Sequence, residues 1–341
     1  MEQYSDILKK LTGHNYSETF LTNEELTFFS NKKVLITGAA GSIGSGLVKE
    51  VSKLNISGLG LLDINESGLV MLKYVIENIT TFPVNIFLTD ISIESELKKV
   101  FESFKPDIIF HAAAYKHIPV LEVFPEQASR VNILGTYNMV KLAGEYKAEK
   151  FVFISTDKAV NPVSVMGKSK KKAEILINLI GVSYSTEYII VRLGNIIGSR
   201  GSASEIFTYQ IKNDLPVTLT GRYMKRYFMT INQAVCLCIK AASAGKDGQL
   251  FIMDMKDQVL ISELIKELVA VNSTSDPNLY NVIVADSRNG EKVEEDFMTN
   301  EEKSSAIFKD GLYVIDLYSI KNGEEIFDIN FYSLNKELNR T

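Results

Sequence analysis

The chain of 341 residues predicts an α/β fold, a doubly wound parallel sheet with a smaller C-terminal region interleaved with it. Three observations carry that expectation. Short runs rich in Val, Ile, Leu and Phe alternate with longer helical stretches through the first half. A glycine-rich turn joins the first such run to the first long helix. After Asn195 the rhythm breaks into a stretch of Gly, Ser, Thr and basic residues.

Residues 1–30 read as an added helical arm. The runs Lys33–Thr37, Gly60–Ile64, Asn85–Thr89, Asp107–His111, Phe151–Ser155 and Tyr188–Arg192 then follow in order. Each is read as apolar on both faces, as a strand covered by helices must be. Val131–Lys147 and Met166–Ile180 read as helices between them. Such βαβ units, with right-handed crossovers, build a parallel sheet whose ligands bind beyond the carboxyl ends of the strands. A helix over Asn232–Ala244 and a strand over Phe251–Met255 return to the sheet. The expected division is therefore 31–195 plus about 228–255 for the nucleotide-binding domain, and 196–227 plus 256–341 for the substrate-gripping region.

Composition bounds the function. Hydrophobic residues make up 45% and charged residues 23%, enough for a full core. The net charge of −5 argues against sequence-independent nucleic-acid binding, which needs a basic face. No apolar run reaches the ~18 residues of a membrane span. Met1–Asp6 lacks the basic-then-apolar layout of a secretory leader, so a cytoplasmic protein is expected. Cys236 and Cys238, two apart on an expected helix, point to nearly opposite sides and read as packing residues. His14, His111 and His117 are scattered, and no metal site is expected.

The sharpest local signal is Thr37-Gly38-Ala39-Ala40-Gly41-Ser42-Ile43-Gly44. Gly38 permits a tight turn, Gly41 lets the backbone approach a pyrophosphate, and Gly44 allows close helix–sheet contact. The helix that starts at Ser42 and Ile43 offers free N–H groups to phosphates. Asp63 ends the next strand 19 residues past Gly44, where a carboxylate accepts hydrogen bonds from ribose hydroxyls. It would repel a 2′-phosphate, and Ile64 is no arginine, so NAD is favoured over NADP. Ser155-Thr156-Asp157-Lys158 follows at the carboxyl end of the fifth run. Alone it reads as a solvated strand end; downstream of a nucleotide motif it reads as a reacting site. Met166 and Lys170, four apart on the next helix, face the same way.

On these residues, with His111-Ala112-Ala113-Ala114 and Asn132, the chain resembles the extended short-chain dehydrogenases. Further segments narrow the resemblance. They are Ala114-Tyr115-Lys116-His117-Ile118-Pro119, Thr156-Asp157-Lys158-Ala159-Val160-Asn161-Pro162, Asn195-Ile196-Ile197-Gly198-Ser199-Arg200-Gly201-Ser202, Arg226-Tyr227-Phe228-Met229-Thr230 and Asn289-Gly290-Glu291-Lys292. Together, over about residues 31–300, they are similar to the nucleotide-sugar 4,6-dehydratases of polysaccharide biosynthesis. Met166 stands where most short-chain dehydrogenases carry Tyr, which resembles the configuration-retaining UDP-N-acetylglucosamine 4,6-dehydratases.

The resemblance implies a tightly held NAD, contacted also by Asp90, Ile91, Ala112, Ala113, Ala114, Asn132 and Lys170. It implies a UDP-sugar held by Lys116, His117, Asn195, Arg200, Arg226 and Arg288, with 196–227 and 256–341 as the UDP-sugar-binding region. Hydride leaves C4 of the hexose and returns at C6 after water is lost across C5 and C6. Lys158 would be the C5 base, Asp157 the C6 acid, and Thr156 the partner of the C4 oxygen. Lys158 must be neutral for part of that cycle. Lys170 would hold the nicotinamide ribose. A thioether accepts no proton, so with Met166 in place the C4 hydroxyl proton falls to Asp157 as its carboxylate or to a relay through Thr156. A homodimer or higher homo-oligomer is the family expectation. Many members carry N-terminal membrane helices, which this sequence does not show.

Two departures stand out. Thr220-Gly221-Arg222 occupies a usual His-Pro turn, and Asn289 a usual proline. The other readings are an inverting dehydratase that also epimerises C5, a UDP-sugar 4-epimerase, and an inert nucleotide-binding scaffold. Met166 speaks against the first two, and the retained Thr156, Asp157, Lys158 and Lys170 against the third.

Overall fold

The computed structural model describes residues 2–14 and 21–320. Strands β1 (Lys33–Thr37), β2 (Gly58–Asp63), β3 (Val84–Leu88), β4 (Ile108–His111), β5 (Lys150–Thr156) and β6 (Glu187–Leu193) appear where the apolar runs place them. They pair in parallel, in the order β6-β5-β4-β1-β2-β3. The order reverses between β1 and β4, and a crevice opens at that switch point. Helices Ser42–Val51, Glu66–Glu77 and Ile231–Ala244 cover one face; Glu94–Phe104, Thr136–Glu145 and Val165–Gly181 cover the other.

The covering is incomplete at β3. It is the edge strand, with Ile86 37% and Leu88 59% exposed, so the expectation that every run is buried on both faces holds for the inner strands and fails here. The expected helix Val131–Lys147 is also two pieces. A π-helical segment, Ala128–Gly135, carries Asn132 and passes into the α-helix Thr136–Glu145. Side-chain bonds of Asn132 to Tyr115 and Ser169 fix the register of that wider turn.

The later strands are β7 (Asn195–Ile196), β8 (Val217–Thr220), β9 (Lys225–Arg226), β10 (Phe228–Met229), β11 (Gln249–Met253), β12 (Val259–Leu260), β13 (Val282–Ala285), β14 (Ile307–Lys309) and β15 (Leu312–Asp316). β11 extends the parallel sheet beside β6, and β15 and then β14 continue it antiparallel. The 256–341 stretch thus contributes to the main sheet as well as to the smaller region.

That region pairs β8 with β13, β9 with β12 and β7 with β10. Phe207, Ile211, Val217, Leu264 and Leu268 form a second core. The N-terminal helix Glu2–Thr12 adds Ile7 and Leu8 to it, while Leu21, Phe28 and Phe29 at the end of the expected arm pack on the main core. Cys236 and Cys238 are both buried in the helix Ile231–Ala244.

Candidate active site

The site begins with a steric constraint. Gly38 has φ +64°, and a Cβ there would lie 2.7–2.8 Å from the Ala112–Ala113 backbone. A Cβ on Gly44 would lie 2.0 Å from Gly38 O. Only glycine lets the chain leave β1, pass the end of β4 and enter the helix Ser42–Val51 at this spacing. Gly41 caps that helix without a side chain, so its first N–H groups stay open toward the crevice.

A cavity of about 580 Å³ follows. Gly38, Gly41, Ser42, Ile43, Gly44, Asp63, Asp90, Ile91, Ala112, Ala113 and Ala114 line it, and so do Lys116, His117, Thr156, Met166, Lys170 and Arg200. The structure gathers these expected residues around one space. Asn132, Asp157, Lys158, Asn195, Arg226 and Arg288 do not border it.

Asp63 accepts Ala40 N and Asn65 N, one on each oxygen, both at 2.9 Å. Each oxygen keeps a lone pair for a ribose hydroxyl. Asp90 is held by Ser92 and by Arg130 Nη1 at 2.9 Å. Burial works to raise its carboxyl, but Ser92 and Arg130 together bring it below the usual range. Asn132 accepts Tyr115 N at 2.8 Å and donates to Tyr115 O and Ser169 Oγ at 2.9 Å. Its role is to pin the loop after β4 to the helix of Lys170.

His111, unassigned by the sequence motifs beyond marking a strand end, is fully buried between two threonines. Thr136 Oγ1 donates to Asn132 O, so it accepts from His111 Nε2, and Nδ1 in turn accepts from Thr37 Oγ1 at 2.7 Å. Burial, with the Lys170 charge, pushes the imidazole down to about 3, so the ring is neutral.

The reacting groups meet at the end of β5. Asp157 Oδ1 accepts Thr156 Oγ1 at 2.7 Å and Lys158 Nζ at 3.0 Å. Lys158 Nζ also donates to Asn195 Oδ1 at 3.2 Å. Asp157 is 0% exposed, and its Oδ2 has no hydrogen-bond partner. Met166 borders the cavity while packing against Leu121 and Ala128. One turn on, Lys170 Nζ donates to Ile154 O at 2.6 Å and sits 3.9 Å above the Phe153 ring. Burial brings it down to about 7, against the pull of Glu174.

Arg200 reaches across the crevice mouth. Its guanidinium donates to Ala40 O and its backbone N–H to Ser42 Oγ at 3.0 Å, tying the sugar-side loop to the glycine turn. Lys116 donates to Ser199 Oγ at 3.4 Å, and burial holds its amine below the usual range. His117 lies against Gly201, and burial and Lys116 hold its ring down as well. Arg226 gives its N–H groups to the carbonyls of Lys225, Lys292 and Val293 and so braces the 288–295 segment. Arg288 is half-exposed and faces Glu291 at 3.8 Å.

Behind the site runs a network that the motifs did not disclose. Arg192, fully buried at the end of β6, grips Glu174 and Glu302 with paired bonds of 2.7–2.9 Å. Ser155 Oγ completes Glu174 at 2.6 Å. Burial would raise Glu174, but Arg192 brings it down to about 2. An arginine ending an apolar run, with a glutamate one turn past Lys170, was the available signal.

A family model described as polysaccharide biosynthesis protein matches residues 34–316. The chain belongs to that family. Among curated relatives of this family member, an uncharacterized membrane protein of Methanocaldococcus jannaschii is 38% identical over 91% of this chain and 94% of its own length. The capsular polysaccharide biosynthesis protein CapD of Staphylococcus aureus is 38% identical over 83% of this chain and 47% of its own, so the chain spans about half of that relative. A UDP-glucose 4-epimerase of Rickettsia bellii is 30% identical over 82% of this chain and 81% of its own. The X-ray structure of Pen from Bacillus thuringiensis superposes with a TM-score of 0.79 at 31% identity, covering 84% of this chain and 89% of that one. The family member thus has the Rossmann-like fold of the short-chain dehydrogenases and belongs to a polysaccharide-biosynthesis family. Among the described residues no helix is long and apolar enough to cross a membrane, and no group of three or more His, Cys, Asp or Glu could hold a metal ion.

Proposed function

We propose that this family member is a configuration-retaining 4,6-dehydratase that converts UDP-N-acetylglucosamine to UDP-2-acetamido-2,6-dideoxy-4-keto-α-D-xylo-hexose, with NAD resident throughout. One observation carries this reading. Thr156, Asp157 and Lys158 form a single hydrogen-bonded group at the cavity end where Lys170 sits, and Met166 takes the place of a phenol.

The glycine turn fits a dinucleotide, because a Cβ on Gly38 or Gly44 would fill the close approaches that turn requires. Gly38, Gly41, Ser42 and Asp63 would hold it, and Lys170 would hold its nicotinamide ribose. When bound, NAD supplies the hydride acceptor for C4 and the donor for C6. The residues handle the protons. Thr156 donates to Asp157, so a C4 hydroxyl on Thr156 has a path for its proton to the carboxylate. Lys158 takes the C5 proton once the C4 ketone has acidified it and gives it back to the same face of C5 when hydride reaches C6. Asp157 then returns its proton to the departing C6 hydroxyl. Lys170 as its cation stabilises charge developing on the C4 oxygen. Arg200, bridging to Ser42 and Ala40 at the crevice mouth, would offer its guanidinium to phosphate oxygens.

A second reading, a UDP-sugar 4-epimerase, has the R. bellii relative in its favour. Incubation of the protein with UDP-N-acetylglucosamine, without added cofactor, separates the two by product mass and NMR. Loss of one water with C5 configuration retained is the expected outcome. Unchanged mass with a new C4 configuration would establish the epimerase, and water loss with inverted C5 the inverting dehydratase.

A further inference from the structure

A second buried carboxyl with an unpartnered oxygen lies behind the turn of Asp157 and Lys158. Glu295, in the segment between β13 and the helix Asn300–Ser305, is 4% exposed. Its Oε2 is buried without a hydrogen-bond partner, as is Asp157 Oδ2. Lys292 Nζ lies 3.7 Å from that oxygen but donates to Val160 O at 2.7 Å, at the close of the turn that carries Asp157 and Lys158. Gln258 holds the Glu295 backbone carbonyl at 3.2 Å, and Arg226 braces the segment through Lys292 O and Val293 O.

The groups whose charges act on Glu295 are Lys158 and Asp157 from the β5 turn, Arg226 from β9 and Lys292 from its own segment. Glu291 and Glu294 pair instead with Arg288 and Lys225. Burial lifts the Glu295 carboxyl above the usual range; Lys158 pulls it down and Asp157 pushes it up.

The same protein shows what a purely structural buried carboxylate looks like. Glu174 and Glu302 each meet Arg192 with both oxygens. Glu295 and Asp157 instead each leave one oxygen bare, and Lys292, 3.7 Å from the bare Glu295 oxygen, bonds Val160 O at the close of the Asp157–Lys158 turn. The buried Asp157 charge disfavours ionisation of Glu295, so a change at either group is felt at the other.

We propose that Glu295 is a positioning residue of the reaction centre whose charge, acting through Asp157 and Lys158, governs how that cluster holds the protons it exchanges with the sugar. The inference rests on the dehydratase reading. Its test is the pH–rate profile of water loss from UDP-N-acetylglucosamine for the wild type, E295Q, E295D and K292Q. Removing a negative charge makes neighbouring protons easier to release, so E295Q should displace the whole profile to lower pH, by about one unit. Its KM should stay within about twofold of the wild type, since Glu295 borders no substrate subsite. E295D should restore the profile, and K292Q, a charge change of opposite sign, should displace it to higher pH. K292Q carries the test if E295Q does not fold. An E295Q profile superimposed on the wild type along the pH axis, whatever its height, overturns the role of Glu295 alone. A wild type that removes no water overturns the dehydratase reading and this inference together.

Discussion

Asp157 makes two bonds with one oxygen, to Thr156 and to Lys158, and leaves the other bare inside the protein. That asymmetry suits a group that must accept a proton at one stage and release it at another. Asp157→Asn keeps the shape and removes the exchangeable charge. NADH formation and water loss should then both fall, by about a hundredfold or more, in a single-turnover absorbance assay. NADH formation at the wild-type rate in this variant would assign the C4 proton elsewhere. At this scale the sequence disclosed Thr156, Asp157, Lys158 and Lys170 because they follow one another at a strand end and at helical spacing after a nucleotide motif. Glu295, Glu174 and Glu302 were silent because their meaning comes from what they face across the fold, more than 15 residues away along the chain in each decisive contact.

The helix Val165–Gly181 is the element on which the site turns. Its cavity side carries Met166 and Lys170, and one turn later Glu174 anchors it to Arg192. Arg192 carries the connection on to Glu302, whose side chain also caps the helix Asn300–Ser305 through Thr299. Glu302→Ala therefore removes a bidentate partner from a fully buried guanidinium and uncaps a helix. The expected cost is about 3–5 kcal/mol, read as a fall in the denaturation midpoint. A loss well under that would mean that Glu174 and the Phe297 carbonyl suffice to satisfy the Arg192 guanidinium.

Elements with a strong local period were legible, and so the inner strands and the two site helices fall close to their expected bounds. The π-helical segment was not, because a wider turn leaves no mark in apolar spacing. β3 misled for a related reason: an edge strand and a central one read alike when both are apolar.

Across the whole molecule, two cores meet over one crevice. The parallel sheet supplies the glycine turn, Asp63 and the β5 end; the smaller lobe supplies Arg200 and the segment that buries Glu295. The expected arm divides between the two cores: Ile7 and Leu8 lie in the smaller one, with the Tyr4 ring where a Cβ on Gly198 would stand, and Phe29 lies in the main one. That the glycine turn and the reacting strand end lie at one edge of a parallel sheet was legible from the motif; the order of the strands was not. The antiparallel extension by β15 and β14 was not, because only pairing, never local pattern, distinguishes it. On the proposed dehydratase reading, one NAD would stay in this crevice while a single sugar is oxidised, dehydrated and reduced.

The most direct measurement is the fate of deuterium placed at C4 of UDP-N-acetylglucosamine, turned over as a mixture with a carbon-13-labelled, undeuterated substrate. The account predicts deuterium on the C6 methyl of the product from the deuterated molecules, with none crossing to the carbon-13 product. Deuterium released to solvent, or exchanged between the two populations, would contradict it.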